Sequence, residues 1–284
     1  MRIIFSRKGF DSSSGRKPSP ILPDGRMLSF PIPDSQSSIR YEDIHWQEYN
    51  LGSLVSDLTN GRKPASHFAH LDPDINRYSL PRHSEWKPIF GQTGAAQGHL
   101  QKNGVQADDI FLFFGLFRNT LTRNGKFLWD KGSPLRHILW GWLQIGHVLK
   151  IDSCKPSDYK WAEYHPHFHR SSDKNNTLYV ASKYLSLLGL SLPKQDGAGV
   201  FQRYSKSLVL TAQDAKTPSQ WELPEWFYPR NGKCPLTYHS NLTRWQQTKR
   251  GTKLNTVGRG QEFILDTNYF PEAVKWLKGI LECI

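Results

Sequence analysis

Several stretches of this chain set residue types at spacings that can do chemistry. The first is Ser6-Arg7-Lys8-Gly9-Phe10-Asp11-Ser12-Ser13-Ser14-Gly15-Arg16-Lys17-Pro18-Ser19-Pro20, where cations alternate with hydroxyls and glycines. Donors, positive potential and closely approachable backbone are what a phosphate needs, so Arg7, Lys8, Ser12, Ser13, Arg16 and Lys17 are phosphate-binding candidates. The spacing is not that of a Walker loop, and without a ligand the same residues read as an exposed loop of serine and proline turns. The second stretch, Gly91-Gln92-Thr93-Gly94-Ala95-Ala96-Gln97-Gly98-His99, opens a helix behind two glycines. First-turn N–H groups suit a ligand there, and Gln92 and Gln97 are amides of the kind that read base edges. Helix starts have the same composition when nothing is bound.

Glu163-Tyr164-His165-Pro166-His167-Phe168-His169 places a carboxylate and three imidazoles at alternate positions. In an extended segment these share one face, which makes His165, His167 and His169 candidate metal ligands, with Glu163 beside them. Pro166 and the polar residues that follow also fit a loop of ordinary hydrogen-bonding histidines. His70-Leu71-Asp72-Pro73-Asp74 offers a histidine and two carboxylates for acid/base or metal work, or a plain Asp-Pro-Asp turn. Gly258-Arg259-Gly260-Gln261-Glu262 adds a cation and a carboxylate before a strand. These loops are expected to meet at one cleft, with Asp11, Asp72 or Glu262 as acid/base groups and Arg7 or Arg259 stabilising charge.

The elements that must carry these groups are legible in outline. Residues 1–5 read as a strand, and Ile21-Leu22 and Met27-Leu28 flank a Pro-Asp-Gly turn. Residues 94–104 read as a helix ending at Gly104, and 109–114 as a buried strand. The apolar stretch 137–150 contains Gly141 and Gly146, which point to a kinked or barrel strand. Further strands are expected at 177–181, 208–211 and 262–266. An amphipathic helix closes the chain, with Pro271 in its first turn and Val274 and Leu277 at helical spacing. Residues 34–66 show no clear periodicity. The fold class is therefore α+β, a single mixed domain over residues 1–284 with a strand-rich centre and a C-terminal amphipathic helix.

The chain has 284 residues with 37 Lys and Arg against 25 Asp and Glu, a formal charge of +12, which favours polyanionic partners. Ten Trp, eleven Tyr and fifteen Phe supply the bulk of a core short of aliphatics, and exclude disorder as the main state. Most of Trp140, Trp142, Trp161, Trp221, Trp226, Phe227 and Trp245 must be core, leaving one or two to line a pocket. No run reaches the roughly 18 apolar residues of a membrane span. Three scattered cysteines give neither a disulfide framework nor a zinc knuckle and fit a reducing cytoplasm.

Met1-Arg2-Ile3-Ile4-Phe5-Ser6-Arg7-Lys8-Gly9-Phe10-Asp11-Ser12-Ser13, with Pro18-Ser19-Pro20-Ile21-Leu22-Pro23-Asp24-Gly25, resembles the start of the third nucleotide-modification-associated domain family of bacteria and phages. The likeness continues through His70 to Asp74, Gly91 to Gln97, Trp140-Gly141-Trp142-Leu143-Gln144-Ile145-Gly146, His165-Pro166-His167, Gly197-Ala198-Gly199-Val200-Phe201 and Arg259-Gly260-Gln261-Glu262-Phe263. It implies a link to systems that modify nucleic-acid bases and carries over no reaction and no cofactor. A weaker similarity joins Asp109-Ile110-Phe111-Leu112-Phe113-Phe114-Gly115 and 137–148 to the paired strands of PUA-like barrels, which read modified bases.

Three functional readings stand side by side. The leading one is a nucleotide- or nucleic-acid-binding protein, with DNA favoured over RNA, that recognises or alters a modified base. The second is a metal-dependent enzyme on a small molecule using the 165–169 histidines. The third is a partner module of a modification or defence complex, without turnover of its own.

Overall fold

The computed structural model describes residues 1–169, 174–188, 195–258, 260 and 262–282. The chain begins with β1 (Arg2–Arg7), β2 (Ser19–Ile21), β3 (Ile32–Pro33), β4 (His45–Trp46), β5 (Tyr49–Asn50) and α1 (Leu51–Leu58). It continues through β6 (Ala69–His70), β7 (Ile89–Gln92), α2 (Gly94–Lys102), β8 (Ile110–Arg123), β9 (Lys126–Trp129) and β10 (Arg136–Lys150). Then come β11 (Thr177–Ala181), β12 (Ala198–Val200), β13 (Gln220–Leu223), β14 (Trp245–Thr248), β15 (Gly251–Asn255), β16 (Glu262–Asp266) and α3 (Glu272–Leu281). The architecture is α+β and strand-rich.

The principal sheet has nine described strands in the path β16-β1-β8-β10-β11-β7, with β2 and β9 also on β8 and β12 on β10. β1 is parallel to β8 and antiparallel to β16. Ile110 to Phe114 of β8 are fully buried without alternation, because both faces of this strand are covered. Phe111 and Phe113 pack against Phe90 of β7 on one side, while Phe114 meets Trp221 on the other. α3 buries Ala273, Leu277, Ile280 and Leu281 in the same core, and its Trp276 stacks on Phe5. Register shifts in β10 fall between Leu139 and Gly141 and between Ile145 and His147, beside the two glycines that marked it as kinked. At Gly141 a Cβ would stand 2.9 Å from the Gly199 carbonyl oxygen of the neighbouring strand, so a side chain would force the backbones apart.

Curvature brings the two ends of the sheet together. Gln92 at the end of β7 donates through Nε2 to Glu262 Oε1 at the start of β16, at 2.6 Å. A second apolar cluster gathers Phe10, Phe30, Tyr41, Leu51, Leu54, Val55, Leu58 and Leu71 around α1, whose N-cap Asn50 accepts from Ser53 N–H. A third holds Trp161 and Ala162 against Leu178 and Val180 of β11, anchoring the segment that carries the histidines.

Residues 177–181 and 262–266 form β11 and β16 with those bounds, and 94–102 forms α2 with Gly104 at φ +66°. Residues 208–211 are not a strand. A 3₁₀ turn covers Lys206–Leu208, and the segment then makes only isolated bridges, Val209 to Ile138 and Thr211 to Trp221. No helix among the described residues is long and apolar enough to cross a membrane.

Candidate functional site

β3 and β6 pair antiparallel with Ile32 opposite His70, which brings Asp34, just beyond β3, to the His70 ring. His70 Nδ1 lies 2.8 Å from Asp34 Oδ2. A carboxylate oxygen accepts, so Nδ1 carries the proton and Nε2 carries the lone pair. On the far side, Asn176 precedes β11 and donates through Nδ2 to the His167 carbonyl at 2.8 Å, which orients its Oδ1 toward His167 Nδ1 at 2.6 Å. His167 is thereby fixed in the same tautomer, with its lone pair on Nε2.

Both Nε2 atoms face one carboxylate. Asp72 Oδ2 stands 3.7 Å from His70 Nε2 and 3.6 Å from His167 Nε2. The ligand atoms of His70, Asp72 and His167 all lie within 4.8 Å of one another. A tetrahedral ion with nitrogen and oxygen ligands at usual bond lengths needs donors ~3.4 Å apart, and Asp72 Oδ2 already stands close to that distance from each of the two nitrogens. The other oxygen, Oδ1, accepts from Gly91 N–H at 2.7 Å and faces His165 Nε2 at 3.3 Å. Burial opposes the Asp72 charge, but hydrogen bonds from His165, then from His167 and His70 when their Nε2 atoms carry protons, outweigh it and hold the carboxyl well below the usual range; a metal ion would take the place of those protons. Burial lowers His165, against the pull of Asp72. Two imidazole lone pairs directed at an ionised carboxylate form an electrostatically incomplete group that a cation completes. Each imidazole is also backed by a hydrogen-bond acceptor at Nδ1, the usual support of a metal-bound histidine.

The local sequence explains the approach. Gly91 has no side chain, and a Cβ there would sit 2.3 Å from His167 Cδ2. Pro166 starts a short 3₁₀ turn over Pro166–His169, so the extended geometry expected for this segment does not form. In the turn His165 and His167 stay adjacent, with ring centroids 5.5 Å apart, whereas His169 and Glu163 are exposed. The set that converges is His70, Asp72 and His167 with His165 behind the carboxylate, in place of His165, His167 and His169.

This cluster opens into a cleft of about 350 Å³ lined by residues including Arg7, Lys8, Asp11, Ser13, Gly91, Gln92 and Gly260. The N-terminal loop, the 70–74 and 91–97 loops and the start of β16 thus do gather at one place; Arg259 lies outside the described residues. Arg7 Nη2 contacts the carbonyls of Val257 and Gly260 at 3.4 Å, its buried Nε has no partner, and no carboxylate pairs with it among the described residues. Burial lowers its guanidinium, partly offset by Asp11.

Other residues expected to face a ligand are committed elsewhere. Lys8 donates to Glu262 Oε1 at 3.2 Å, and its Nζ lies 4.6 Å from the centre of the Phe90 ring. Gln92 gives Nε2 to Glu262 and accepts from Thr93 N–H through Oε1. Gln97 is buried and accepts from Tyr179. Asp11 Oδ1 takes the N–H groups of Ser13 and Ser14 and the Ser13 hydroxyl, closing the loop on itself. Ser12 is exposed, and Arg16 and Lys17 face a separate cavity. The four loop cations therefore line two cavities, Arg7 and Lys8 the cleft and Arg16 and Lys17 its neighbour. Sequence reasoning missed Asp34 and Asn176, whose role arises only from long-range pairing.

Of the aromatics, Trp140 is buried and lines a small cavity behind Asp72 together with Trp46. No curated protein and no solved structure matches this chain. Residues 2–266 of the 284, including every group of the cleft described above, match the sequence profile of one family, and the chain belongs to that family: nucleotide modification associated domain 3.

Proposed function

We propose that this protein is a metal-dependent enzyme acting on a nucleotide unit, with a divalent transition-metal ion held by His70 Nε2, His167 Nε2 and Asp72 Oδ2. The observation that carries the reading is the fixed tautomer pair: Asp34 and Asn176 each take an Nδ1–H, directing both Nε2 lone pairs at Asp72. Two histidines and one carboxylate suit Fe(II), Zn(II), Co(II) or Mn(II) and leave positions for water or substrate, supplying a Lewis acid in the cleft. His165 and Gly91 N–H keep Asp72 oriented. Arg7 supplies an unpaired cation in the same cleft for the substrate phosphate. The family is named for association with nucleotide modification, which supports a nucleotide over an unrelated small molecule.

The test is binding of nucleoside monophosphates to protein purified without a histidine tag, before and after loading with metal, alongside Arg7→Gln. The expected result is binding that Arg7→Gln weakens about tenfold, the worth of one charged hydrogen bond. Equal affinity of the variant, or no binding with and without metal, would overturn the reading.

A further inference from the structure

Next to the cleft lies a larger cavity of about 570 Å³, lined by Arg16, Lys17, Arg62 and Lys63 and, among the described residues, by no carboxylate. Among the described residues none of these four side chains takes part in an ion pair, whereas Arg26, Arg82, Arg230 and Lys253 all do. Position near the C-terminal end of α1 accounts for Arg62 and Lys63 as partners of the helix dipole. It does not account for Arg16 and Lys17, which come from the opposite wall.

Both walls are anchored to the fold. Phe10 anchors the N-terminal loop in the apolar cluster around α1 and packs so closely that a Cβ at Gly15 would meet its ring at 2.4 Å. Arg16 is held at φ +58°, a left-handed conformation uncommon for a side-chain-bearing residue. On the other wall the Thr59 hydroxyl donates to Val55 O at 2.7 Å and accepts from Lys63 N–H at 3.1 Å. Like charges fixed around a concavity repel one another, and a polyanion relieves that repulsion.

Ser13 and Ser14 line this cavity and the cleft alike, so the two are separated only by the turn that Asp11 closes. A single nucleotide phosphate is served by Arg7 alone. We infer that the second cavity takes a neighbouring phosphate of the same strand, so that the substrate is a nucleic-acid polymer with its target unit in the cleft; this rests on the reading of the cleft as a nucleotide site.

The experiment compares a nucleoside monophosphate, a nucleoside triphosphate and single-stranded DNA and RNA of about 12 nucleotides across a salt series. The proteins are the full chain, Arg62→Gln/Lys63→Gln, and Arg16→Gln/Lys17→Gln/Arg62→Gln/Lys63→Gln. Each single-strand phosphate contact contributes ~0.7 to the salt slope, so losing two contacts at about 0.1 M salt weakens the oligonucleotide ~25-fold and flattens the slope by ~1.4. Monophosphate binding is expected to stay unchanged, which also shows that the variants fold. Oligonucleotide affinity unchanged in both variants, or a loss confined to the triphosphate, would overturn the inference and leave the cleft reading intact. No binding of any probe to the unaltered protein would overturn both.

Discussion

Lys8→Met turns the junction of the two sheet ends into a buried carboxylate with half its partners gone. Glu262 has 1% of its side chain exposed and Lys8 11%, with Nζ 3.2 Å from Oε1. At an effective dielectric near 20 the gross attraction at that separation is about 5 kcal/mol, most of it balanced by the desolvation both charges undergo on folding. Removing one partner leaves that desolvation uncompensated. Gln92 stays on Oε1, but Oε2 has no partner among the described residues. The expected loss at neutral pH is about 3–5 kcal/mol, or roughly 6–20 °C in Tm for a protein of this size. Lys8→Met/Glu262→Gln removes the charge together with its partner and should recover most of that loss. Thermal and urea unfolding of the two variants measure both quantities. A single variant within about 1 kcal/mol of the unaltered protein, or a double variant as unstable as the single, would refute the claim that Lys8 and Glu262 fasten the sheet ends.

Gly91→Ala should push His167 out of the cluster, because the new Cβ falls on its ring and β7 is held in register by β11; calorimetric titration with Zn(II) should show about a 100-fold or greater loss of affinity. Asp34→Asn weakens the acceptor behind His70 and should lower metal affinity about 10–100-fold, read by competition with a chromophoric chelator. Acid should destabilise the fold through His137, which burial and then Arg7 lower from 6.5 to about 3, and which accepts from Trp221 Nε1–H. The neutral form is the folded one, so below pH 6.5 the unfolded chain binds the extra proton and stability falls with pH, by about 2 kcal/mol between pH 7 and 5. His239, lowered to about 4 by burial, acts in the same direction; urea unfolding at the two pH values checks the sum, and His137→Gln should reduce the slope.

Strands that bury both faces were readable because their residues are apolar without a break, as at Phe111, Phe113 and Phe114, or bounded by turn chemistry, as around β11 and β16. α1 was not, because an eight-residue helix amid polar sequence takes its stability from the cluster around Phe10 and Tyr41. Leu208 and Leu210 are buried and Val209 half-buried, as a strand would have them, yet their backbone goes into a 3₁₀ turn and isolated bridges. His70-x-Asp72 and His165-x-His167 were each visible as chemistry-bearing pairs. What sequence could not supply was their union, since β3, β6, β7 and β11 must pair before His70 and His167 face the same carboxylate. The expectation for His169 failed on one residue: Pro166 starts a turn where alternation requires an extended chain.

Co(II) titration of chelator-treated protein, followed by visible absorption and set beside the His70→Ala and His167→Ala variants, tests the central claim most directly. One equivalent bound per chain, with ligand-field bands of a nitrogen and oxygen site that both variants abolish, is the predicted result. Absence of saturable binding, or a spectrum that both variants retain, would contradict a metal centre at His70, Asp72 and His167.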